Sequence, residues 1–156
     1  VRMPGCTVLR LTTPADNEKI KEYATIAEEQ YQRNSNYEKI YPWRTSTDYD
    51  GLRHYIAHAT TAAGTTLICG WLIAKLVEEN GNHAIYLMEI ASRRIRDAYY
   101  GGIGQQLHAA LLEDATAARV DFVYLVPLNP EVRALYQMPA WGYVELPDQP
   151  KIPYLL

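Results

Sequence analysis

Residues 84–118 read AIYLMEIASRRIRDAYYGGIGQQLHAALLEDATAA, which is an apolar run, a glycine-rich turn and an amphipathic segment in succession. The run 84–92 has the length and the apolar content of a strand. After the turn, apolar residues recur at helical spacing, at Ile103, Leu107, Ala110, Leu111 and Ala118. A strand, a glycine turn and a helix in this order predict an α/β domain.

Three glycines stand in the turn, at positions 101, 102 and 104. Glycine allows a backbone to approach a ligand closely, and the free amides at a helix N-terminus attract phosphate. Three cations lie just upstream, at Arg93, Arg94 and Arg96. The turn therefore favours a phosphate-containing ligand, although a plain tight turn has the same composition.

Two common phosphate motifs do not fit this turn. A Walker loop needs Gly-Lys-Ser/Thr after its glycines, where this chain has Gln105 and Gln106. The dinucleotide fingerprint needs a third glycine at the position of Leu107. A phosphate ligand would therefore be held by a different motif.

The rest of the chain reads as short strands and helices around this segment. The Asn-Gly pair within 79–82, between two apolar runs, is typical of a β-hairpin. Apolar residues at 52, 55, 56 and 59, with Asp48 or Asp50 as a cap, predict a second helix. The predicted order is a strand at 6–11, a helix from Thr13 to the polar run 33–36, the helix after residue 50, strands at 66–77 and 84–92, a helix at 103–118, a strand at 122–126, a helix at 129–136 and a strand at 143–146.

Asn129 and Tyr136 lie seven residues apart on the predicted short helix. Seven residues are about two helical turns, so both side chains point the same way. An asparagine before Pro130 is also a good helix cap, and a tyrosine on a helix often simply packs. Structural and functional roles stay open together, because a cap also fixes where the tyrosine points.

Taken together, these segments resemble the Gcn5-related N-acetyltransferase (GNAT) family. The family's acyl-CoA motif, Gln/Arg-x-x-Gly-x-Gly/Ala, is matched by residues 99–104, with Tyr99 in place of the usual Gln or Arg. The family's last motif is matched by Asn129, the Leu-Tyr pair 135–136 and the Gly-Tyr pair 142–143, although residues 138–140 lengthen its spacing. The N-terminal half follows the family only in the order of its elements.

The resemblance implies one domain over residues 1–156, with a mixed, mostly antiparallel central sheet, splayed fourth and fifth strands and about four flanking helices. In the family, the pantetheine arm of acetyl-CoA lies in the gap between those two strands. The residues implied to hold this cosubstrate are Ile90, Ala91, Ser92, Arg94, Arg96, Tyr99, Gly101, Gly102, Ile103, Gly104, Gln105, Asn129 and Tyr136.

The resemblance also implies a reaction, in which the acetyl group of acetyl-CoA moves to a primary amine by direct attack in a ternary complex. Tyr136 matches the family's tyrosine and would act as the acid toward the leaving thiolate. Glu89 is the only carboxylate between Glu79 and Asp97 and is the candidate base, with a water chain as the alternative. A non-catalytic acyl-CoA-binding module of the same fold is the rival function, and a nucleotide-binding α/β domain is a third.

The family shapes its acceptor site with the segment after the first helix, which here is residues 31–50. That segment combines aromatic residues with nearby carboxylates, among them Tyr37, Tyr41, Trp43, Tyr49 and Asp48. Such a mixture suits a cationic small molecule or a peptide amine. A packed aromatic loop with solvated acids would have the same composition.

Composition limits the remaining partners. The chain of 156 residues has a net charge of −3 and a pI near 5.8, so we expect no nucleic-acid partner, which usually requires a basic face. Its apolar stretches are too short for a membrane span, so we expect no membrane. A homodimer through residues 152–156 stays open.

Cysteine and histidine spacing indicates neither a disulfide framework nor a metal site. Cys6 and Cys69 fit no disulfide or zinc pattern, which predicts buried thiols in a cytoplasmic protein. His54 and His58 have the spacing of a metal pair on a helix, but no third ligand is evident. We therefore predict two histidines on a helix surface and no metal.

Overall fold

The computed structural model describes residues 6–32, 52–79, 81–92, 94–95, 98–99, 102–127, 129–145 and 152–155. Within these ranges the chain forms eight strands, three α-helices and one 3-10 turn. The strands are β1 (Thr7–Leu11), β2 (Leu52–Thr60), β3 (Thr66–Glu79), β4 (Asn82–Ser92), β5 (Arg94–Ile95), β6 (Ala98–Tyr99), β7 (Phe122–Leu125) and β8 (Ile152–Leu155). The helices are α1 (Asn17–Gln32), preceded by the 3-10 turn Pro14–Asp16, α2 (Ile103–Ala117) and α3 (Pro130–Gln137).

Six strands form one sheet in the order β1-β2-β3-β4-β7-β8, and β5 pairs with β6 in a separate two-stranded ribbon. Every neighbouring pair in the large sheet is antiparallel except β4 and β7, which are parallel. The predicted mixed, mostly antiparallel α/β sheet is confirmed. Three of the about four predicted helices are present in the described residues.

The predicted second helix is in fact strand β2. Four consecutive residues, 54–57, are buried, because β2 lies between β1 and β3 and both of its faces are covered. Tyr55 packs in the core on the α2 side of the sheet, and Ile56 packs in the core on the α1 side. A strand buried on both faces carries apolar residues without alternation, and here their spacing imitates that of a helix.

His54 and His58 therefore lie on a strand and not on a helix surface. His54 is completely buried, and its Nδ1 accepts a hydrogen bond from the Trp71 indole N–H at 3.0 Å. Burial lowers the pKa of His54 to about 4, so its imidazole is neutral at pH 7. The ring is part of the core.

The predicted last strand at 143–146 is also wrong, because its described residues, 143–145, are not in a strand. Gly142 adopts a left-handed backbone with φ of 75°. The Tyr143 N–H then donates to the Tyr136 carbonyl at 3.1 Å, so the chain turns back onto α3. The strand that pairs with β7 comes later, at β8.

Helix α1 packs on one face of the sheet, and α2 and α3 pack on the other face. Residues of α1 join a core cluster that contains Leu11, Ile56, Trp71 and Ile73. Residues of α2 and α3 join a larger cluster on the other face, which also contains Leu72 of β3. Within the described residues, no helix combines the length and the apolar character that crossing a bilayer demands.

Helix α2 is attached to the sheet at both of its ends. Near its C-terminus, Asp114 accepts hydrogen bonds from the Tyr55 hydroxyl at 2.8 Å and from the Arg10 guanidinium at 2.7 Å. At its N-terminus, Ile103 packs over Gly70 of β3, where an added Cβ would lie 2.6 Å from Ile103 Cγ2. The glycine in β3 therefore lets the first turn of α2 rest directly on the sheet.

Candidate active site

The sheet opens between β4 and β7. Tyr86, aligned with Tyr124, is the last residue of β4 that pairs with β7, although β4 continues to Ser92. The opening coincides with a β-bulge, because the β3–β4 register passes from Ala74–Leu87 to Ile73–Glu89 and leaves Met88 as the extra residue. A bulge bends its strand, and here it starts where β4 leaves β7.

Apolar side chains flank the opening. Met88 on β4 is 38% exposed, and Val126, which follows β7, is 43% exposed. The residues of β4 beyond the bulge that were predicted to contact a cosubstrate are Ile90, Ala91 and Ser92. Ile90 is half-buried on the α2 side, Ala91 is buried and aligned with Trp71, and Ser92 is aligned with Gly70. On the β7 side, the main chain of this segment makes no ladder with described residues, so it can pair with an extended ligand.

The N-terminus of α2 lies beside this open part of β4. An added Cβ on Gly70 would meet both Ile103 of α2 and the carbonyl oxygen of Ala91, at 2.6 and 3.0 Å. The first turn of the helix and the last residues of β4 are therefore neighbours. A ligand that runs along β4 would arrive at the helix start.

Gly102 starts α2 in a left-handed conformation, with φ of 72° and ψ of 20°, and offers no side chain as a cap. The first intrahelical bond runs from the Gln106 N–H to the Gly102 carbonyl at 2.9 Å. The amides of Ile103, Gly104 and Gln105 consequently have no acceptor inside the helix. Because the first turn also lacks acidic residues, the helix start fits an anionic group such as a pyrophosphate.

Tyr136 is buried in an aromatic group at the C-terminal end of α3. Its ring meets those of Trp141 and Tyr143 edge to face, with centroids 5.1 and 5.5 Å apart. Burial raises the pKa of the Tyr136 hydroxyl to about 12. The phenol is therefore protonated throughout the physiological pH range and remains a hydrogen-bond donor.

His108 of α2 completes this group. Its Nε2 lies 2.8 Å from the Tyr143 hydroxyl in a buried hydrogen bond, and its ring centroid is 4.9 Å from that of Trp141. Burial lowers the pKa of His108 to about 4, so the imidazole is uncharged at pH 7. Among the described residues, the group formed by Tyr136, Trp141, Tyr143 and His108 is therefore aromatic and uncharged.

Asn129 caps α3, as one of the two sequence-based readings expected. Its Oδ1 accepts a hydrogen bond from the Val132 N–H at 2.9 Å, and Pro130 occupies the first helical position. A cap of this kind fixes where the helix starts. It therefore also fixes the direction in which Tyr136 points, two turns later.

Glu89 lies on the opposite face of the sheet from Tyr136. It is aligned with Ile73, a member of the core cluster on the α1 side, whereas Tyr136 belongs to the cluster on the α2 side. The Glu89 side chain is exposed, and partial desolvation against the sheet raises the pKa of its carboxyl group. The two predicted catalytic side chains thus lie on different faces of the sheet.

Part of the predicted site falls outside the described side chains. Arg94 and Tyr99 are aligned with each other in the β5–β6 ribbon, which is described by its backbone. Gly101 and Arg96 lie outside the described residues, as do the aromatic residues predicted to shape the acceptor site within 33–51.

Three residues around the opening were missed by the sequence analysis. Gly70 of β3 lies against Ile103 and Leu107 of α2, and Trp141, which follows α3, lies against His108 of α2. Gly70 had a signal, because a glycine inside a strand often marks a close approach of another backbone. Trp141 and His108 had none, since their contact depends on how α3 packs against α2.

No family model and no curated protein matches the chain. Solved structures do resemble it: KacTA in a complex with DNA has a TM-score of 0.56 at 19% identity, over 69% of this chain and 70% of that one. AtaTR bound with AcCoA has a TM-score of 0.55 at 17% identity, over 98% and 94% of the two chains. AtaT complexed with acetyl-methionyl-tRNAfMet has a TM-score of 0.52 at 14% identity, over 96% and 94%.

These likenesses confirm that the chain has the GNAT fold. They also correct the sequence-based exclusion of nucleic acid as a partner. Two of the three similar structures contain nucleic acid, one DNA and the other an acetylated aminoacyl-tRNA. A net charge of −3 is a property of the whole chain, and it does not exclude a local surface for nucleic acid.

Proposed function

We propose that this GNAT-fold chain is an acetyl-CoA-dependent N-acetyltransferase that moves an acetyl group to a primary amine by direct attack in a ternary complex. The observation that carries the proposal is the opening between β4 and β7. Helix α2 starts beside the open part of β4 at Gly102, which has no capping side chain. Tyr136 is buried in the core cluster that also contains Ile103, the first residue of α2. These features match the parts of acetyl-CoA: the helix start suits its pyrophosphate, the open edge of β4 suits its extended arm, and a protonated phenol suits the thioester sulfur.

Each part of the chain has a distinct task in this reaction. The amides of 103–105 hold the pyrophosphate, and the main chain of Ile90 and Ala91 aligns the pantetheine arm along β4. When bound, acetyl-CoA supplies an activated acyl group. Holding that group against a bound amine converts a bimolecular encounter into an effectively unimolecular step, which is a large part of such catalysis.

Glu89 and Tyr136 handle the proton and the developing charge. The amine nitrogen forms a bond to the carbonyl carbon, its proton passes to Glu89, and the carbon–sulfur bond breaks to release CoA. A raised pKa brings the Glu89 carboxylate closer to the range of an efficient base. The amine nitrogen and the thioester sulfur are different substituents of the same carbonyl carbon. The base that meets the nitrogen and the hydroxyl that meets the sulfur therefore come from different directions, and Glu89 and Tyr136 lie on different faces of the sheet.

The Tyr136 hydroxyl acts on the sulfur as it departs. A thiol has a pKa of about 8.5, well below the value of about 12 for Tyr136. Complete transfer of the phenolic proton is therefore unfavourable, and the hydroxyl contributes chiefly a hydrogen bond to the forming thiolate. The proton that ends on sulfur comes from the amine by way of the base or solvent.

The acceptor is proposed by class. A cationic small molecule or a peptide amine suits the aromatic and acidic residues of 31–50. The α-amine of an aminoacyl-tRNA is a second candidate, favoured by the similarity to AtaT complexed with acetyl-methionyl-tRNAfMet. All three acceptors present a primary or α-amine to the same thioester.

Thermal unfolding with acetyl-CoA, ATP and NAD tests the cosubstrate. A ligand at about 100 times its Kd adds roughly 2.7 kcal/mol of stability, which raises Tm by several degrees. We expect this rise with acetyl-CoA alone. A rise with ATP or NAD alone, or with none of them, would show that the helix start does not hold an acyl-CoA.

Release of CoA thiol with spermidine, a methionyl peptide and methionyl-tRNA then tests the transfer. Thiol release above the rate without acceptor identifies both the activity and the class of amine. Acetyl-CoA binding without release for any of the three would favour the alternative, a non-catalytic acyl-CoA-binding module.

A further inference from the structure

Trp141 lies between the two parts of the proposed site. On one side, the Cη2 and Cζ2 atoms of its indole lie 3.5 and 3.7 Å from where a Cβ on Gly104 would stand. On the other side, the indole meets the Tyr136 ring edge to face at 5.1 Å. A single rigid side chain therefore spans from the second residue of α2 to the tyrosine of α3.

The indole is held in place by its neighbours. Gly104 and His108 are four residues apart on α2, so they present one face of the helix, and both lie against Trp141. His108 in turn shares its buried hydrogen bond with the Tyr143 hydroxyl. The backbone N–H of Trp141 donates to the Met138 carbonyl at 2.9 Å, which closes the turn that carries the indole.

We propose that Trp141 is a positioning residue that fixes the distance between the first turn of α2 and the Tyr136 hydroxyl. The inference rests on the proposed function, since it assigns Trp141 a role in that same site. A cosubstrate anchored by its pyrophosphate reaches Tyr136 only if helix and tyrosine keep a constant separation. The indole supplies that spacing, because it cannot bend as an aliphatic side chain could.

This role predicts a specific pattern of kinetic change. A displacement of the Tyr136 hydroxyl by about 1 Å is enough to reduce turnover by up to two orders of magnitude. The amides that bind the pyrophosphate belong to α2 itself, which stays attached to the sheet through Gly70 and Asp114. Loss of the indole should therefore lower kcat while leaving the affinity for acetyl-CoA in place.

The test compares Trp141→Ala, Trp141→Phe and the control Val144→Ala, a side chain that is 52% exposed. We expect Trp141→Ala to lower kcat for CoA release roughly 10-fold and to change the Kd for acetyl-CoA less than about twofold. Trp141→Phe should keep most of the wild-type kcat, and Val144→Ala should have the same kcat as the wild type.

A double-mutant cycle with Tyr136→Phe decides whether Trp141 acts through the tyrosine. If it does, Trp141→Ala adds little further loss in the Tyr136→Phe background. An additive loss, an unchanged kcat, or a Kd that weakens as much as kcat falls would each overturn the inference. Should Trp141→Ala fail to fold, Tyr143→Phe replaces it, because this change keeps the ring and removes only the hydroxyl bonded to His108.

Failure of the proposed function has a different signature. In that case the wild-type chain itself shows neither the acetyl-CoA stabilisation nor the thiol release described above. Failure of the positioning role alone leaves both wild-type signals intact.

Discussion

The two faces of the sheet differ sharply where β4 leaves β7. On the α2 face, Tyr136, His108 and Tyr143 are buried and packed ring against ring. Burial lowers the pKa of His108 and raises that of Tyr136, so both side chains are uncharged at pH 7. On the α1 face, the Glu89 side chain is exposed, and partial desolvation raises the pKa of its carboxyl group.

This difference suits the two substrates of the proposed reaction. The acyl donor is the same in every turnover, so the groups that meet it can be fixed in advance by packing, which lowers the cost of reorganisation. The acceptor must enter, lose a proton and leave as a product, so its side of the opening has to be accessible. The packed α2 face therefore suits the acyl donor, and the exposed α1 face suits the acceptor.

The largest effect should come from acid, which acts on a buried histidine on each face. His54 and His108 have pKa values of about 4 when folded, against about 6.5 when unfolded. Stability is therefore full above pH 6.5 and falls as the pH is lowered from 6.5 to 4, by up to roughly 3 kcal/mol for each histidine. Denaturant unfolding at pH 7 and pH 4.5 measures the loss.

His108→Gln should remove the share of this acid sensitivity that belongs to the α2 face. His83→Gln, an exposed histidine, serves as the control. An equal loss of stability in His108→Gln and in the wild type would mean that His108 does not stay neutral in the fold.

The next largest effect should come from Tyr136→Phe. Removing the hydroxyl takes away the proposed hydrogen bond to the leaving sulfur, and loss of one donor to a developing charge typically costs about 10² to 10³ in rate. We expect kcat to fall roughly 10-fold or more, with little change in the Kd for acetyl-CoA. An unchanged kcat across the pH range would remove Tyr136 from the mechanism.

Glu89→Gln tests the accessible face. In the wild type, protonation of Glu89 should slow turnover as the pH falls toward its raised pKa, which lies above 4.5. The variant should lose about 10-fold in kcat at pH 7 and should lack this acidic fall. Glu22→Gln on α1 is the matched control, and a fall in rate that persists unchanged in Glu89→Gln would favour a water chain as the base.

The smallest effect should separate two glycines at the start of α2. Alanine at Gly102 is strained by a φ of 72°, which costs about 1 kcal/mol of folding stability and displaces the amides proposed to bind acetyl-CoA. Alanine at Gly104 meets only ordinary contact with Trp141. Gly104→Ala should therefore unfold no more easily than the wild type, and equal destabilisation by both substitutions would contradict the left-handed helix start.

Local signals explain which elements were predictable. The β3–β4 hairpin, α2 and α3 were found because an Asn-Gly turn, a glycine start and an Asn-Pro cap lie within a few residues of each element. Strand β2 was mistaken for a helix because the α2 core covers one of its faces and the α1 core covers the other, so apolar residues occur on both faces without alternation. The strand expected at 143–146 failed because Gly142 redirects the chain onto α3.

The candidate site divides in the same way. Gly102, Tyr136 and Glu89 follow from sequence patterns that resemble a family, and they remain predictions as functional residues. The separation of Glu89 and Tyr136 onto two faces needed the β3–β4 register, which depends on a bulge at Met88. The place of Trp141 needed the packing of α3 on α2, a contact that no spacing in the chain encodes.

The short alignment of β4 with β7, over residues 84–86 alone, has a consequence for cooperativity. Strands β1 to β4 form long antiparallel ladders, and two of these ladders join strands that are linked by short connections. Strand β7, in contrast, follows α2 in the chain and pairs with β4 through a short ladder. The free energy of local opening is lower where a segment is held by few contacts and few hydrogen bonds. The amides of β7 should therefore exchange with deuterium faster than those of β3, and a ligand lying across the gap should slow that exchange by linking the two halves.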